Sequence, residues 1–170
     1  LTPLPGHARV VSSHGVSIDG RTLYTIDAGG VMRVWSAPGS GWRRTLTAPT
    51  VYALDLALSR DSQRLYTADG TGLLSCVPVD GGPPIWSAPF ATQTVAVNPA
   101  EDLAAVASGG SAITLIRPRA TASTRTLDLG QSRRAQQVRF SPDGRTLAAC
   151  TVEGTLSLFD VATGAVRTTF

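Results

Sequence analysis

Short runs of alternating apolar and polar residues, separated by tight turns, follow one another along the chain. The clearest stretch runs from Val138 to Gly164, where one alternating run leads into Ser-Pro-Asp-Gly, a second leads into Glu153-Gly154, and a third ends after Phe159. A period of two places successive side chains on opposite faces of a strand, and Pro and Gly supply the dihedral angles that tight turns require. The pattern predicts three antiparallel strands joined by two turns.

The middle strand of this stretch, RTLAACT, has three weaker copies upstream. They are RTLYTID, QRLYTAD and EDLAAVA, beginning at Arg21, Gln63 and Glu101. Aligning the four copies makes four leucines equivalent, with spacings of 42, 38 and 44 residues: Leu23, Leu65, Leu103 and Leu147. A period of about 40 residues that drifts with loop length is typical of propeller blades.

The neighbouring strands repeat as well. Third strands end in bulky apolar residues: Trp35, Val77, Ile116 and Phe159. First strands lie near Val10, Val51, Gln93 and Ala135, and Arg-rich outer strands lie near Trp42, Pro83, Thr124 and Ala165. We therefore predict an all-β fold without helices, a β-propeller of four four-stranded antiparallel blades. The single domain covers residues 1–170, with blades at approximately 6–48, 49–90, 91–130 and 131–170.

Residues at these repeated positions make the chain resemble the WD-repeat propellers. Gly6-His7 opens the first unit and Trp35 closes its third strand, while Ser141-Pro142-Asp143-Gly144 and Phe159-Asp160 make the last unit the closest match. The resemblance implies structural roles for His7, Trp35, Asp143, Gly144, Phe159 and Asp160.

The chain departs from that family at the polar network that staples each blade. The network consists of a His, a Ser or Thr, a turn Asp and the Trp. The turn-Asp position is aligned with Gly29, Thr71, Gly109 or Gly110, and Glu153, and only Trp35 supplies the Trp. We therefore expect no blade to hold the full set, and apolar packing to join the blades.

Ring closure is the main physical question, because a propeller of this family usually needs about seven blades. We expect the chain to be a piece of a longer protein that supplies the rest of a larger ring. A self-contained ring of four blades and an assembly of two copies stay open as alternatives.

Composition limits the chemistry. All 15 basic residues are Arg, which excludes a Schiff-base Lys and a P-loop Lys, and the net charge of +3 predicts no strong overall field.

Cys76 and Cys150 are expected to be buried thiols without a metal or a disulfide. Of the two histidines, His7 is expected to staple a blade or form a turn, and His14 to lie in a loop or at a strand end. Repeated Asp residues at 19, 61 and 143, and at 27 and 69, are expected to form turns. We predict no catalytic residue, cofactor or metal site.

Exposed aromatic residues and Arg are favoured as anchors for a protein partner. The candidates are Trp42, Arg43, Arg44, Trp86, Phe90, Arg133 and Arg134. Between residues 117 and 139, six Arg (117, 119, 125, 133, 134 and 139) face only Asp128, which predicts a positive rim. A solvated face, an acidic protein partner and nucleic acid are the alternatives for that rim. Nucleic acid is disfavoured because no aromatic residue is interleaved with these Arg before Phe140.

The resemblance to WD-repeat propellers implies a non-catalytic protein–protein interaction scaffold. One alternative is a sensory or regulatory propeller fused to a kinase, protease or ATPase, as in bacterial WD-repeat proteins. Another is a lactonase-like or quinoprotein-like enzymatic propeller with active residues outside this chain. No membrane partner is expected, since no apolar run approaches the roughly 18 residues of a membrane helix. A cytoplasmic location is expected, and any targeting signal would lie outside this chain.

Overall fold

A computed structural model describes residues 6–17, 19–36, 42–47, 52–118, 122–131 and 133–170, with the backbone alone for 36, 42–44, 46–47 and 122–124. It contains sixteen strands in four sheets. Blade 1 comprises β1 Val11–Val16, β2 Thr22–Asp27, β3 Val31–Ser36 and β4 Trp42–Thr47. Blade 2 comprises β5 Ala53–Leu58, β6 Arg64–Asp69, β7 Leu73–Pro78 and β8 Trp86–Pro89. Blade 3 comprises β9 Thr94–Val97, β10 Ala104–Ala107, β11 Ala112–Arg117 and β12 Ala122–Asp128. Blade 4 comprises β13 Ala135–Phe140, β14 Thr146–Thr151, β15 Leu156–Asp160 and β16 Val166–Thr169.

Each blade is an antiparallel meander in which every strand pairs with its neighbours in the sequence. Within the described ranges there is no helix. The predicted all-β propeller of four four-stranded antiparallel blades is therefore confirmed.

Apolar packing between the blades forms the core, in three separate clusters. Ile26 and Met32 of blade 1 pack on Leu65 of blade 2. The second cluster joins blade 2 to blade 3, and the third joins blade 3 to blade 4 around Leu115 and Phe159. Each cluster buries one face of a blade against the opposite face of the next, which is the arrangement that stacks meanders radially around an axis.

Strand pairing shows which residues are equivalent, and it corrects one of the four aligned leucines. Leu23, Leu65 and Leu147 each pair with the closing residue of the third strand, but in blade 3 that partner is Ala104, opposite Ile116. Leu103 precedes β10 and packs in the cluster toward blade 4. A shift by one residue moves a side chain to the other face of a sheet, so Leu103 faces the following blade, whereas Leu65 and Leu147 face the preceding one.

The turn between the first and second strands has the same hydrogen bonds in three blades. In blade 4, Ser141 Oγ donates to Asp143 Oδ1 (2.6 Å), the Arg145 amide donates to Asp143 (3.0 Å), and the Thr146 amide donates to Ser141 Oγ (3.0 Å). Asp19 and Asp61 accept the matching bonds in blades 1 and 2. These Asp residues are therefore turn formers, as the sequence predicts, and the hydroxyl bond is the main cause that lowers the pKa of each.

Blade 4 turns one apolar face toward no described element. Its Ala148, Cys150, Leu156 and Leu158 occupy the positions that blades 1 to 3 bury against the next blade. Ala148, Leu156 and Leu158 are half-buried. Cys150 is exposed, so the expectation of two buried thiols is wrong for Cys150 and right for Cys76, and both are free.

Candidate binding site in the central channel

The first strands of the four blades, β1, β5, β9 and β13, pack side by side around the axis. Two cavities open between them. One, of about 340 Å³, is lined by polar groups on all four strands and is called here the Asp55 cavity. The other, of about 300 Å³, contains more apolar side chains and is called the Phe140 cavity. His14 and Arg139 line both cavities, so the two cavities lie next to each other along the inner strands.

Asp55 is the centre of the hydrogen bonding that joins these strands, and only 8% of its side chain is exposed. Its Oδ1 accepts from Ser13 Oγ of blade 1 (2.6 Å) and from the Leu56 amide (2.9 Å). Its Oδ2 accepts from Thr94 Oγ1 (2.7 Å) and the Val95 amide (3.1 Å) of blade 3. A buried carboxylate is costly unless it is fully hydrogen-bonded, and here both oxygens are occupied.

Arg139 of blade 4 completes the set around Asp55. Its Nη1 lies 3.3 Å from Asp55 Oδ2 and donates to the Val138 carbonyl at 2.7 Å, with the Val95 carbonyl at 3.5 Å. All the hydrogen bonds of this guanidinium within the described residues come from Nη1, and 45% of the side chain is exposed. One carboxylate thereby connects the inner strands of all four blades.

Four further polar side chains line the Asp55 cavity without a hydrogen-bond partner among the described residues: His14, Gln93, Gln136 and Gln137. All four are exposed toward the channel opening. Because amides both donate and accept, this wall can bind a polar group that enters the channel.

His14 lies in the middle of β1, so its predicted placement in a loop or at a strand end is wrong.

Backbone irregularities position these groups. The pairing of the first and second strands shifts register between Val11 and Ser13, between Ala53 and Asp55, and between Ala135 and Gln137. A bulge inserts one residue and re-aims the side chains beside it. Three inner strands therefore present their channel residues from equivalent bulges.

A second polar network lies in blade 1, away from the channel. His7 Nδ1 lies 2.9 Å from Asp27 Oδ2 and His7 Nε2 lies 2.7 Å from Thr25 Oγ1, while Trp35 Nε1 donates to Thr25 Oγ1 at 2.9 Å. A carboxylate only accepts, so Nδ1 donates, and in the neutral ring Nε2 accepts the Thr25 hydroxyl. The expectation that no blade has the full set is therefore wrong for blade 1.

The error came from placing the turn Asp at Gly29, two residues too late. Asp27 ends β2, and its Oδ1 accepts the amides of Gly29 (2.9 Å) and Val31 (3.1 Å) while Oδ2 meets His7. Burial would raise the pKa of Asp27, but the bonds from His7 and the two amides outweigh it and hold the pKa below its usual value. Asp27 thus connects the turn after β2 to the hydrogen-bond network of His7, Thr25 and Trp35.

Blade 2 keeps half of this network. Asp69 accepts the amides of Thr71 and Leu73, as Asp27 does in blade 1. Val77 replaces the Trp, and the buried Thr67 hydroxyl, equivalent to that of Thr25, has no partner within the described part of the chain. Blade 2 is therefore stabilised mainly by apolar packing against its two neighbours.

The predicted partner-binding residues lie in different surroundings. Trp86 is half-buried against the cluster between blades 2 and 3, with its ring centroid 6.1 Å from that of Tyr66, and Phe90 packs on the same cluster. Arg133 donates to the Leu129 carbonyl at 3.0 Å. The predicted anchors Trp42, Arg43 and Arg44 have their backbone in β4, and their side chains lie outside the described residues.

The predicted positive rim is dispersed, because the described Arg of this stretch contact different parts of the molecule. Arg134 pairs with Glu153 at 3.1 Å, and its amide, followed by that side chain, lowers the pKa of Glu153 to about 2. Arg125 on outer strand β12 donates to the Ala162 carbonyl of blade 4, whereas Arg139 lies at the channel. Arg117 is exposed at the end of β11, and residue 119 lies outside the described residues.

The remaining residues assigned structural roles lie in turns and core. Gly144 has φ +72° at the Ser141 turn, and Asn98 Nδ2 donates to its carbonyl across the blade interface at 2.9 Å. Phe159 is buried between blades 3 and 4. Asp160 accepts from Arg167 Nη2 (2.5 Å) and the Thr163 amide, which together lower its pKa and close the last turn.

Comparison with known proteins agrees with this architecture. Residues 95–170 match the family model of the anaphase-promoting complex subunit 4 WD40 domain. The chain forms a WD40-type β-propeller. Hydrazine synthase from Kuenenia stuttgartiensis is similar to the propeller, with a TM-score of 0.77 and 21% identity over 99% of this chain and 52% of that chain. The propeller therefore spans about half the length of that structure, and the likeness shows the fold alone. No curated protein matches the propeller.

The sequence patterns did not predict the group at the centre of the channel. Asp55 was not singled out, although a charged residue in the middle of the apolar strand ALDLAL breaks the alternation. Gln93, Gln136 and Gln137 carry no such signal, because polar residues on an inner strand are equally typical of solvent exposure.

In the ranges described above, no group of three or more His, Cys, Asp or Glu could hold a metal ion, and no helix is long and apolar enough to cross a membrane.

Proposed function

We propose that this propeller is a non-catalytic protein-interaction module whose partner binds over the Asp55 cavity. WD40-type propellers generally mediate protein interactions. The observation that carries the proposal is the wall of the Asp55 cavity, where His14, Gln93, Gln136 and Gln137 face the opening without hydrogen-bond partners among the described residues. Convergent polar groups in a concave site on a rigid frame favour recognition of an entering peptide group.

The frame supports this assignment because binding is cheaper when the binding groups are already ordered. Asp55 on β5 is hydrogen-bonded to residues on β1, β9 and β13, so the four inner strands are joined before a partner binds. Little backbone ordering is therefore left for the partner to induce. The free thiols Cys76 and Cys150 fit a reducing compartment, which supports a cytoplasmic location as part of the proposal.

The test is selection of random peptides displayed on phage against the folded 170-residue chain. Selected peptides are expected to bind the wild type and to lose at least about tenfold in affinity on Gln137→Trp, because the indole fills the cavity mouth. The matched control is Gln63→Trp, an exposed glutamine in the β5–β6 turn at the far end of the blades, which is expected to leave affinity unchanged. Failure to enrich any peptide above an unfolded-chain control, or equal binding to both variants, contradicts the proposal.

A further inference from the structure

We propose that the Asp55 cavity recognises a carboxylate, namely an Asp or Glu side chain of the partner peptide, through the free edge of the Arg139 guanidinium. This inference rests on the proposed function and specifies its partner chemistry. It begins with the way in which Arg139 is held.

Nη1 of Arg139 is occupied by three acceptors: Asp55 Oδ2, the Val138 carbonyl and the Val95 carbonyl. The guanidinium is planar, so fixing Nη1 fixes the plane of the whole group. Nε and Nη2 make no hydrogen bond to the described residues, and together they form the edge that binds a carboxylate with two parallel hydrogen bonds. Arg139 is therefore oriented for a ligand before the ligand arrives.

The exposed charge at the site favours a single carboxylate, because 45% of the Arg139 side chain is exposed and only 8% of that of Asp55. Asp55 is the one carboxylate lining the cavity within the described residues, and its oxygens already accept from Ser13, Leu56, Thr94 and Val95 besides Arg139. An incoming cation would find those oxygens occupied and the Arg139 charge beside them. A phosphate dianion would require more than the one Arg that the cavity offers.

The glutamines that line the cavity also favour a carboxylate ligand. Gln136 and Gln137 lie on the same strand as Arg139, and Gln93 approaches from the β9 side. Their amide N–H groups can donate to the oxygens that the Arg139 edge leaves open, and their carbonyls can accept the backbone amides of the partner. No aromatic side chain lines this cavity in the described residues, so stacking of a sugar or base has no support there.

The test uses the peptides selected on the wild-type chain, each synthesised in two forms with Glu or Gln at the enriched position. On the wild type, the Glu form is expected to bind about tenfold to a hundredfold more tightly than the Gln form, as for a charge-assisted bidentate contact. On Arg139→Gln the difference is expected to disappear. The matched control is Arg134→Gln, which removes an Arg that already pairs with Glu153 and should preserve the difference.

A second variant keeps the inference testable if Arg139→Gln unfolds through loss of the Asp55 partner. Gln137→Glu places a negative charge beside the ligand carboxylate, on an exposed residue whose side chain makes no hydrogen bond to the described residues. It is expected to weaken the Glu peptide more than the Gln peptide, so that the difference in affinity between the two forms shrinks. Selected peptides without acidic enrichment, or discrimination that survives both Arg139→Gln and Gln137→Glu, overturn the carboxylate assignment while leaving the interaction module intact. Failure to select any peptide removes the proposed function and this inference together.

Discussion

At the scale of single residues, the same threonine is satisfied in one blade and unsatisfied in the next. Thr25 bonds His7 and Trp35, whereas the buried hydroxyl of Thr67 at the equivalent position has no hydrogen-bond partner in the part of the chain that the structure describes. A buried polar group without a partner costs about 1–3 kcal/mol, and the shape of Thr is nearly that of Val. The two positions therefore respond in opposite ways to the same substitution.

We predict that Thr67→Val raises the free energy of unfolding by about 1 kcal/mol, because it removes a desolvated hydroxyl and no bond. Thr25→Val is the matched control and is expected to lower it by about 1–3 kcal/mol, because it leaves His7 and the Trp35 indole without their shared partner. Urea unfolding followed by tryptophan fluorescence measures both. A loss of stability in Thr67→Val would mean that its hydroxyl has a partner after all.

At the scale of elements, the turn between the first and second strands is built alike in blades 1 and 4 but is packed differently. Gly20 and Gly144 both have positive φ, at +69° and +72°. A Cβ on Gly20 would meet no described atom within 4 Å, while a Cβ on Gly144 would clash with Asn98 Oδ1. The first turn therefore requires glycine for its backbone, and the second requires it also for the blade interface.

Gly20→Ala is expected to cost about 1 kcal/mol, the strain of a left-handed alanine. Gly144→Ala is expected to cost about 2–5 kcal/mol, because Asn98 must also move and release the Gly144 carbonyl. Thermal unfolding of the two variants compares them directly. Equal losses would show that the contact between Asn98 and Gly144 contributes nothing to joining blades 3 and 4.

At the scale of the whole molecule, the blades are stabilised by being covered. Leu115 and Leu158 occupy equivalent positions in blades 3 and 4, since each pairs with an alanine of the second strand. Leu115 is 2% exposed in the cluster between blades 3 and 4, whereas Leu158 is half-buried on the outward face of blade 4. We propose that a further blade covers this face.

For the chain alone, Leu115→Ala is expected to cost about 2–5 kcal/mol, the range for emptying a packed core site, and Leu158→Ala about 1 kcal/mol or less. Urea unfolding at two protein concentrations measures the difference. A Leu158→Ala loss as large as that of Leu115→Ala, growing with protein concentration, would show that a second copy covers blade 4 in solution.

The sequence by itself determined the strands, the repeat and the turns of this protein, because each depends on residues close together in the chain. Period-two alternation, a glycine at positive φ and an Asp that bonds the amide two residues later are local properties. The alignment of repeats was wrong by one residue at Leu103, because the matching leucine lies on the other face of its sheet. It was wrong by two residues at Gly29, because Asp27 is the carboxylate that bonds His7.

Only the tertiary structure decided the channel. Asp55 and Arg139 are 84 residues apart and meet because blades 2 and 4 share an axis. Neither the polar character of Gln136 nor that of Gln137 indicates whether it faces a channel or bulk water, and Cys150 is exposed only because no described blade covers it. These outcomes depend on which strands lie side by side, and that is a property of the packed blades rather than of any one repeat.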